Sequence, residues 1–97
     1  MRFIIIARFP TEAGNKMIDD PNGIKSVEDY LKKVKAEAAY FSEDKGERTF
    51  YIIVDMPRAD MIPDVGEPLF HLGAKVKIRP AMVLDDVKKA MQRLQSS

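Results

Sequence analysis

The sequence predicts an α+β fold in which a four-stranded antiparallel sheet carries helices on one face. Strand-like and helix-like segments follow one another in the order strand, helix, strand, strand, helix, strand, with one more helix at the end. The last strand-like segment, residues 74–82, alternates apolar and cationic residues, which is typical of a strand with one buried face. With 97 residues, the chain is expected to form a single domain over residues 1–97, because two domains would hold only ~50 residues each.

The first part of the chain predicts one strand and two helices. Residues 2–9 are rich in Ile and Phe and end at a proline, as an edge or terminal strand position allows. A short helix capped by Thr11 is expected over residues 11–20, and the Pro-Asn-Gly that follows breaks the chain. A second helix is expected with Ser26 as its N-cap. Its apolar residues recur at helical spacing: Val27, Tyr30, Leu31 and Val34.

The middle of the chain predicts a hairpin and a third helix. Residues 38–41 and 48–55 are strand-like and are separated by an acidic turn that ends in glycine, so they are expected to pair antiparallel. A helix is predicted over residues 60–72, with a bend at Pro68. Gly73 is placed as the residue just past its end.

The last part predicts a fourth strand and a terminal helix. Residues 74–82 alternate Val and Ile with Lys and Arg at period two. The terminal helix begins at Asp85 or Asp86 and has one apolar stripe: Val87, Ala90, Met91 and Leu94. This order of elements is the split βαβ, ferredoxin-like arrangement, for which right-handed crossovers give the strand order 4-1-3-2.

The face of the sheet that the helices leave uncovered is mixed in chemistry. Three isoleucines, Ile4, Ile6 and Ile53, lie at its predicted centre. Polar side chains surround them: Arg8, Tyr51, Asp55, Lys77 and Arg79, with Tyr40 as a further candidate. Such a face is too apolar to be left in water, and two-fold dimers are the commonest oligomers. A homodimer with sheet against sheet is therefore expected, with the polar groups lining a cavity.

Composition excludes several classes of function. The net charge is +1, which does not indicate a nucleic-acid partner, and the third strand lacks the glycines and stacking aromatics of an RNA-recognition domain. The chain has no cysteine and one histidine, so no metal site and no cofactor are expected. The longest apolar run is far shorter than the ~20 residues of a membrane span. A cytoplasmic protein is expected.

Several short stretches, spread over most of the chain, resemble a small uncharacterised family within the dimeric α/β-barrel superfamily. They are Glu37-Ala38-Ala39-Tyr40-Phe41, Gly46-Glu47-Arg48-Thr49, Val54-Asp55-Met56, Glu67-Pro68-Leu69-Phe70, Ala74-Lys75-Val76 and Pro80-Ala81-Met82. The resemblance implies two ferredoxin-like subunits joined sheet to sheet. The superfamily includes cofactor-independent monooxygenases, isomerase-like and dehydratase-like enzymes, haem-handling proteins and members without known activity. The resemblance therefore implies a pocket inside the barrel or between a sheet and its helices, but it does not imply which reaction or ligand the protein has.

Four side chains are weak candidates for catalysis. His71 is the only side chain with an ordinary pKa near neutrality, although a histidine near a helix C-terminus also serves as a favourable cap. Tyr40 and Tyr51 offer phenols that could bind an enolate-like oxygen, or fill a dimer interface. Glu67 precedes Pro68, where a bend would aim its carboxylate inward; the alternative is a solvated helix residue.

A second group of residues predicts ligand binding. Arg8, Lys77 and Arg79 fall on neighbouring strands and could bind a carboxylate or phosphate beside Tyr51. The alternatives are ion pairs with Asp55 or protection of a sheet edge by charge. The favoured hypothesis is a homodimer that binds a small anionic organic molecule or serves as an interaction module. The alternative is a cofactor-independent enzyme, of isomerase or monooxygenase type, that works by proton transfer.

Overall fold

The computed structural model describes residues 1–96 and confirms the ferredoxin-like α+β fold. Its four strands form one antiparallel sheet in the order β2-β3-β1-β4, the predicted order. The strands are β1 (Arg2–Phe9), β2 (Ala38–Asp44), β3 (Glu47–Asp55) and β4 (Lys75–Pro80). The hairpin strand β2 is thus longer than predicted, and β4 is shorter.

Four α-helices accompany the sheet: α1 (Thr11–Asp19), α2 (Gly23–Lys33), α3 (Ile62–His71) and α4 (Leu84–Ser96). The predicted caps of the first two were wrong. Thr11 is the first residue of α1 rather than its cap. Ser26 lies inside α2, because the backbone N–H of Asn22 donates to the Asp20 carboxylate (2.9 Å) and closes a turn from which the helix starts at once.

The end of α3 follows the prediction for Gly73. This glycine has a φ of +88°, and its N–H donates to the carbonyl of Phe70 at 2.9 Å. The left-handed backbone conformation ends the helix and turns the chain into β4, at a cost that is small only for glycine. A 3₁₀ turn at Ala59–Met61 precedes α3 and replaces the first turn of the predicted helix.

The core lies between the sheet and helices α1–α3. Ile5, Ala7 and Phe9 of β1 and Ile52 and Val54 of β3 are fully buried on the helix side, as period two predicts, and Val65 and Leu69 of α3 pack over them. Thr49, on the other side of β3, is also fully buried, and its hydroxyl donates to the carbonyl of Glu47. The register aligns Ile5 with Ile52 on one side and with Ile78 on the other. The buried apolar residues are Ile5, Ala7, Phe9, Ile52, Val54, Met56, Val65, Leu69 and Ala74.

Tyr30 joins α2 to α3. Its hydroxyl donates a hydrogen bond to the carbonyl of Val65 at 2.7 Å, while its ring packs against the core. Burial of the phenol raises the pKa of Tyr30 to about 12, because the charged phenolate is poorly solvated there. The folded state therefore holds the Tyr30 proton more tightly than the unfolded chain does.

Alkaline pH is expected to destabilise the fold through Tyr30. The contribution of neutral Tyr30 is complete below the unfolded pKa of about 10 and is lost as the pH rises through the folded pKa of about 12. Tyr30→Phe should cost about 1 kcal/mol at neutral pH, from the lost hydrogen bond, and should weaken the alkaline decline. Urea unfolding at neutral and alkaline pH measures both effects. Tyr40→Phe, which alters a 67% exposed side chain, is the control; equal declines in the two variants would contradict the assignment.

The terminal helix α4 extends away from the sheet. The described chain measures 55 × 27 × 19 Å, and α4 has no extensive contact with any strand or helix within residues 1–96. Of its predicted apolar stripe, Met91 is 50% and Leu94 73% exposed, whereas Val87 and Ala90 are half-buried. Part of the stripe therefore faces solvent in the single chain. No described helix is both long and apolar enough to cross a bilayer.

Candidate functional site

The uncovered side of the sheet, called here the open face, is ordered by the strand register. Across it, Ile6 of β1 lies between Tyr51 of β3 and Lys77 of β4. One row further along β1, Ile4 lies between Ile53 and Arg79. In both rows an isoleucine of β1 therefore lies next to a cation of β4, Lys77 in one row and Arg79 in the other.

The centre of the open face is partly accessible. Ile4, Ile6 and Ile53 are half-buried, as is Tyr51. Tyr40 lies directly opposite Tyr51 across the β2–β3 pair and is 67% exposed. The structure therefore places Tyr40 on the open face, in contact range of a neighbouring phenol.

A hollow of about 230 Å³ lies at one end of the open face. Its lining is mixed: Ile6, Arg8, Asp44, Lys75, Val76 and Lys77. Arg8 forms ion pairs with two carboxylates: its Nε is 3.1 Å from Oε1 of Glu47, and its Nη1 is 3.9 Å from Oδ2 of Asp44. The Nε atom is buried, and no hydrogen-bond acceptor within residues 1–96 lies along its N–H, so the Glu47 contact is an ion pair without that bond.

The polar residues predicted for the open face divide between its two ends. Arg8 pairs with Asp44 and Glu47, rather than with Asp55. Oδ1 of Asp55 instead accepts a hydrogen bond from the N-terminal ammonium at 2.6 Å. Because Asp55 aligns with Arg2, six residues from Arg8 on β1, the two charges are ~20 Å apart. Asp55 and Arg8 therefore belong to different sites.

Three cations at the β4 edge have no ion-pair partner among the described residues: Lys75, Lys77 and Arg79. Two of them, Lys75 and Lys77, line the hollow beside Arg8. The one carboxylate that lines the hollow, Asp44, lies near Arg8, so the two lysines, which form no ion pair, are available to an anion. The half-buried Ile6, opposite Lys77 in the register, offers an apolar contact.

A larger hollow, about 720 Å³, lies at the opposite end of the sheet, where α4 begins. Its charged groups are already paired: Nε of Arg2 donates to both carboxylate oxygens of Glu37, at 2.9 and 3.1 Å. The hydrogen bond to Glu37 raises the pKa of Arg2. Since the N-terminal ammonium and Asp55 are also paired there, the larger hollow is the weaker candidate for an anion.

His71 and Glu67 lie in the helix layer, on the other side of the sheet from the tyrosines. The Nδ1 atom of His71 donates to the carbonyl of Glu67 at 2.8 Å, and the side chain is 81% exposed. The Glu67 carboxylate is also exposed, 3.7 Å from the same nitrogen. Within one chain, His71 therefore does not share a site with Tyr40 or Tyr51. The hydrogen bond of His71 to the Glu67 carbonyl is the interaction at a helix C-terminus that was given above as the alternative to catalysis.

Sequence reasoning missed two polar residues that line the hollow, Asp44 and Lys75, and the Arg8 partner Glu47. Asp44 was predicted in the turn and Glu47 outside the strand, yet the longer β2–β3 hairpin pairs them with each other and brings both carboxylates to Arg8. Lys75 is two residues before Lys77 and lies on the same face of β4, so the period-two pattern was sufficient to place it among the cations of the open face. Within the described chain, no group of three His, Cys, Asp or Glu side chains is arranged to hold a metal ion.

Comparison with solved structures shows the same fold. The chain is similar to a formyltetrahydrofolate deformylase from Pseudomonas putida KT2440, with a TM-score of 0.52 and 13% identity over 84% of this chain. It spans only 29% of that deformylase. A protein from Agrobacterium tumefaciens aligns over 87% of this chain and 96% of its own length, with 17% identity and a TM-score of 0.42. No family model and no curated protein matches the sequence.

Proposed function

We propose that the protein is a homodimeric small-molecule-binding or regulatory module whose ligand is a small organic anion. The observation that carries this proposal is the coexistence, on one unroofed sheet face, of half-buried isoleucines and three cations without carboxylate partners in residues 1–96. Within the described residues, the isoleucines are not fully covered and the three cations form no ion pair. A second subunit would cover the isoleucines, and a ligand would supply the negative charge.

The dimer follows from the apolar part of the open face. Fully burying an isoleucine is worth about 1.5–3 kcal/mol, and Ile4, Ile6 and Ile53 adjoin one another across β1 and β3. An isologous two-fold contact covers the same patch on both copies at once. The resemblance of several stretches of the chain to the dimeric α/β-barrel superfamily supports this arrangement. Sheets packed ~10 Å apart then enclose the hollow beside Arg8.

The ligand chemistry follows from the hollow beside Arg8. Arg8 is already held by Asp44 and Glu47, so Lys75 and Lys77 are the groups that a carboxylate or phosphate would meet. The side chain of Ile6 lies between Lys77 and Tyr51 in the register and favours an apolar portion of the ligand. A compact molecule with one anionic group and one apolar portion fits both requirements.

A cofactor-independent enzyme of isomerase or monooxygenase type remains the second candidate, because the phenols of Tyr40 and Tyr51 face each other on the open side of the sheet. Proton transfer also needs a base within hydrogen-bond reach. His71 does not supply one within a single chain, since it lies in the helix layer. His71→Ala is therefore expected to leave any measured activity intact.

Replacing Lys77 by glutamine is expected to weaken binding of the anion about tenfold, because a charge-assisted hydrogen bond contributes about 1.5–3 kcal/mol. A panel of small carboxylates and phosphate esters is first tested on the unaltered protein by thermal shift, and the best binder is then titrated calorimetrically.

Lys32→Gln removes the same charge from an exposed position on α2 and serves as the control. Equal affinity of the Lys77 and Lys32 variants would exclude this hollow as the site. The absence of any binder in the panel would count against an anionic ligand altogether.

A further inference from the structure

A third hollow, of about 300 Å³, lies on the helix side of the sheet and is called here the α1–α2 hollow. It is bounded by the corner between α1 and α2 and by the β2–β3 hairpin, where Phe41 and Phe50 pair across the two strands. Phe50 also contacts the buried Phe9, with ring centres 4.7 Å apart, so these rings are on the helix side. A dimer formed through the open face therefore does not cover this hollow.

The wall of the α1–α2 hollow is mostly apolar. Its floor continues the core, because the Phe50 ring lies between those of Phe9 and Phe41, at 4.7 and 4.8 Å. Its rim carries two isoleucines, Ile18 at 68% and Ile24 at 75% exposure. A contiguous exposed patch of this kind is a feature of ligand grooves and interaction sites. The side chains that form the wall include Met17, Ile18, Ile24, Val27, Phe41 and Phe50.

The hollow exists because the first half of α2 does not pack closely on the sheet. The residues of α2 that pack against the core, Tyr30 and Leu31, are in its second half. At the start of the helix the corner with α1 is tight, since a Cβ added at Gly23 would clash with the carbonyl oxygen of Met17. Within residues 1–96, α2 has no extensive contact with β2. The space between α2 and the hairpin is therefore left open.

One fixed cation, Arg48, borders the hollow. Its Nη1 donates to Oδ1 of Asn15 at 3.1 Å, which holds the guanidinium against α1. Gly14 makes room for it, since a Cβ there would lie 2.6 Å from the same nitrogen. Arg48 forms no ion pair with a carboxylate of the described chain. Its other N–H groups are therefore available to an anion.

Two acids near the hollow already accept hydrogen bonds from the backbone. Glu43 lies opposite Arg48 in the register, and its Oε2 accepts from the N–H of Gly46 at 3.0 Å. Asp20 lines the hollow at the C-terminal end of α1, and its Oδ1 accepts from the N–H of Asn22 at 2.9 Å. Both remain negative, so they disfavour a ligand that carries more than the one charge that the guanidinium offsets.

We propose that the α1–α2 hollow binds a small monocarboxylate with an apolar body, such as a single ring or a branched aliphatic chain. The carboxylate meets Arg48, and the body lies against Phe41 and Phe50. The volume of 300 Å³ equals that of about ten water molecules, which excludes nucleotides and peptides. A doubly charged phosphate ester is disfavoured by the two nearby acids. This site goes beyond the proposed function, because it depends neither on the homodimer nor on the hollow beside Arg8.

Phenylacetate and the uncharged 2-phenylethanol are matched probes, since they share a ring and differ in the carboxylate. Methyl NMR follows each titration at Met17, in the wall, with Met82, outside it, as the reference. We expect phenylacetate to shift the Met17 signal and to bind about tenfold more tightly than 2-phenylethanol. Arg48→Gln should weaken phenylacetate about tenfold and leave 2-phenylethanol within about twofold. Arg93→Gln, the same change at an exposed position of α4, is the control.

Filling the hollow tests its location separately from its charge. Val27→Trp should remove the Met17 response to both probes, and circular dichroism verifies that the variant is folded; Ile24→Trp, on the rim, replaces it if it is not. A Met17 response that persists in the filled variant, or no response in the unaltered protein, would overturn the site. Equal affinity for the two probes, or equal effects of Arg48→Gln and Arg93→Gln, would overturn the carboxylate assignment. A response selective for phenylacetate and dependent on Arg48 supports the proposal.

Discussion

Replacing Ile53 by lysine should convert the proposed homodimer into a monomer. Ile53 lies between Ala38 and Ile4 in the register, near the centre of the open face, and its side chain is half-buried in the single chain. An ammonium at this position would be sealed between two sheets, and the nearest carboxylate on the same face of β3, Asp55, is already bound to the N-terminal ammonium, so its burial costs several kcal/mol. We expect the dissociation constant to rise at least about a hundredfold, measured by sedimentation equilibrium.

The matched control is Ile24→Lys, which places the same charge on a 75% exposed isoleucine of α2, on the helix side of the molecule. This variant should keep the dissociation constant of the unaltered protein. Circular dichroism of both variants verifies that they are folded. If Ile53→Lys is folded and still dimeric, the subunits do not meet through the open face.

Replacing Phe9 by alanine should cost about 3–5 kcal/mol of the free energy of unfolding. The Phe9 ring is completely buried beneath the helices and lies 4.7 Å from the ring of Phe50. Its removal loses the transfer free energy of the ring and leaves a cavity that the rigid sheet cannot fill. Since small domains have about 5–15 kcal/mol of stability, this variant should be near the limit of folding.

Phe41→Ala provides the comparison, because Phe41 contacts the same Phe50 ring at 4.8 Å but is 54% exposed. We expect a loss of about 1 kcal/mol at this position, since much of the ring is already in water. Urea unfolding measures both variants. Comparable losses in the two variants would contradict the assignment of Phe9 to the closed core and of Phe41 to its exposed margin.

Assigning every second residue of a strand to the same face predicted which side of β1 is buried. In β1, every second residue from Ile5 to Phe9 is fully buried, and the intervening residues are on the open face. This pattern is readable from sequence because the period of two is a property of the extended backbone itself. Strand order followed from chirality, since right-handed crossovers leave few topologies.

Helix starts and ion pairs were not predictable in the same way. Ser26 has the side chain of a cap, but the local turn that the Asp20 carboxylate forms with Asn22 begins α2 earlier. An ion pair of Arg8 with Asp55 was the alternative to ligand binding; the actual partners of Arg8 depend on how far the β2–β3 hairpin extends, which places Asp44 opposite Glu47. The first outcome is decided by one local hydrogen bond and the second by the length of the hairpin, and sequence spacing encodes neither.

The position of β1 in the sheet has a consequence for how the chain folds. This strand is paired on both sides, with β3, which begins at Glu47, and with β4, which begins at Lys75. During synthesis, β1 is made before the two strands with which it pairs. Closing the long loops between β1 and these strands slows folding. During that interval the nascent strand is a target for chaperones and for aggregation, so expression yield should respond to growth temperature more than thermodynamic stability alone implies.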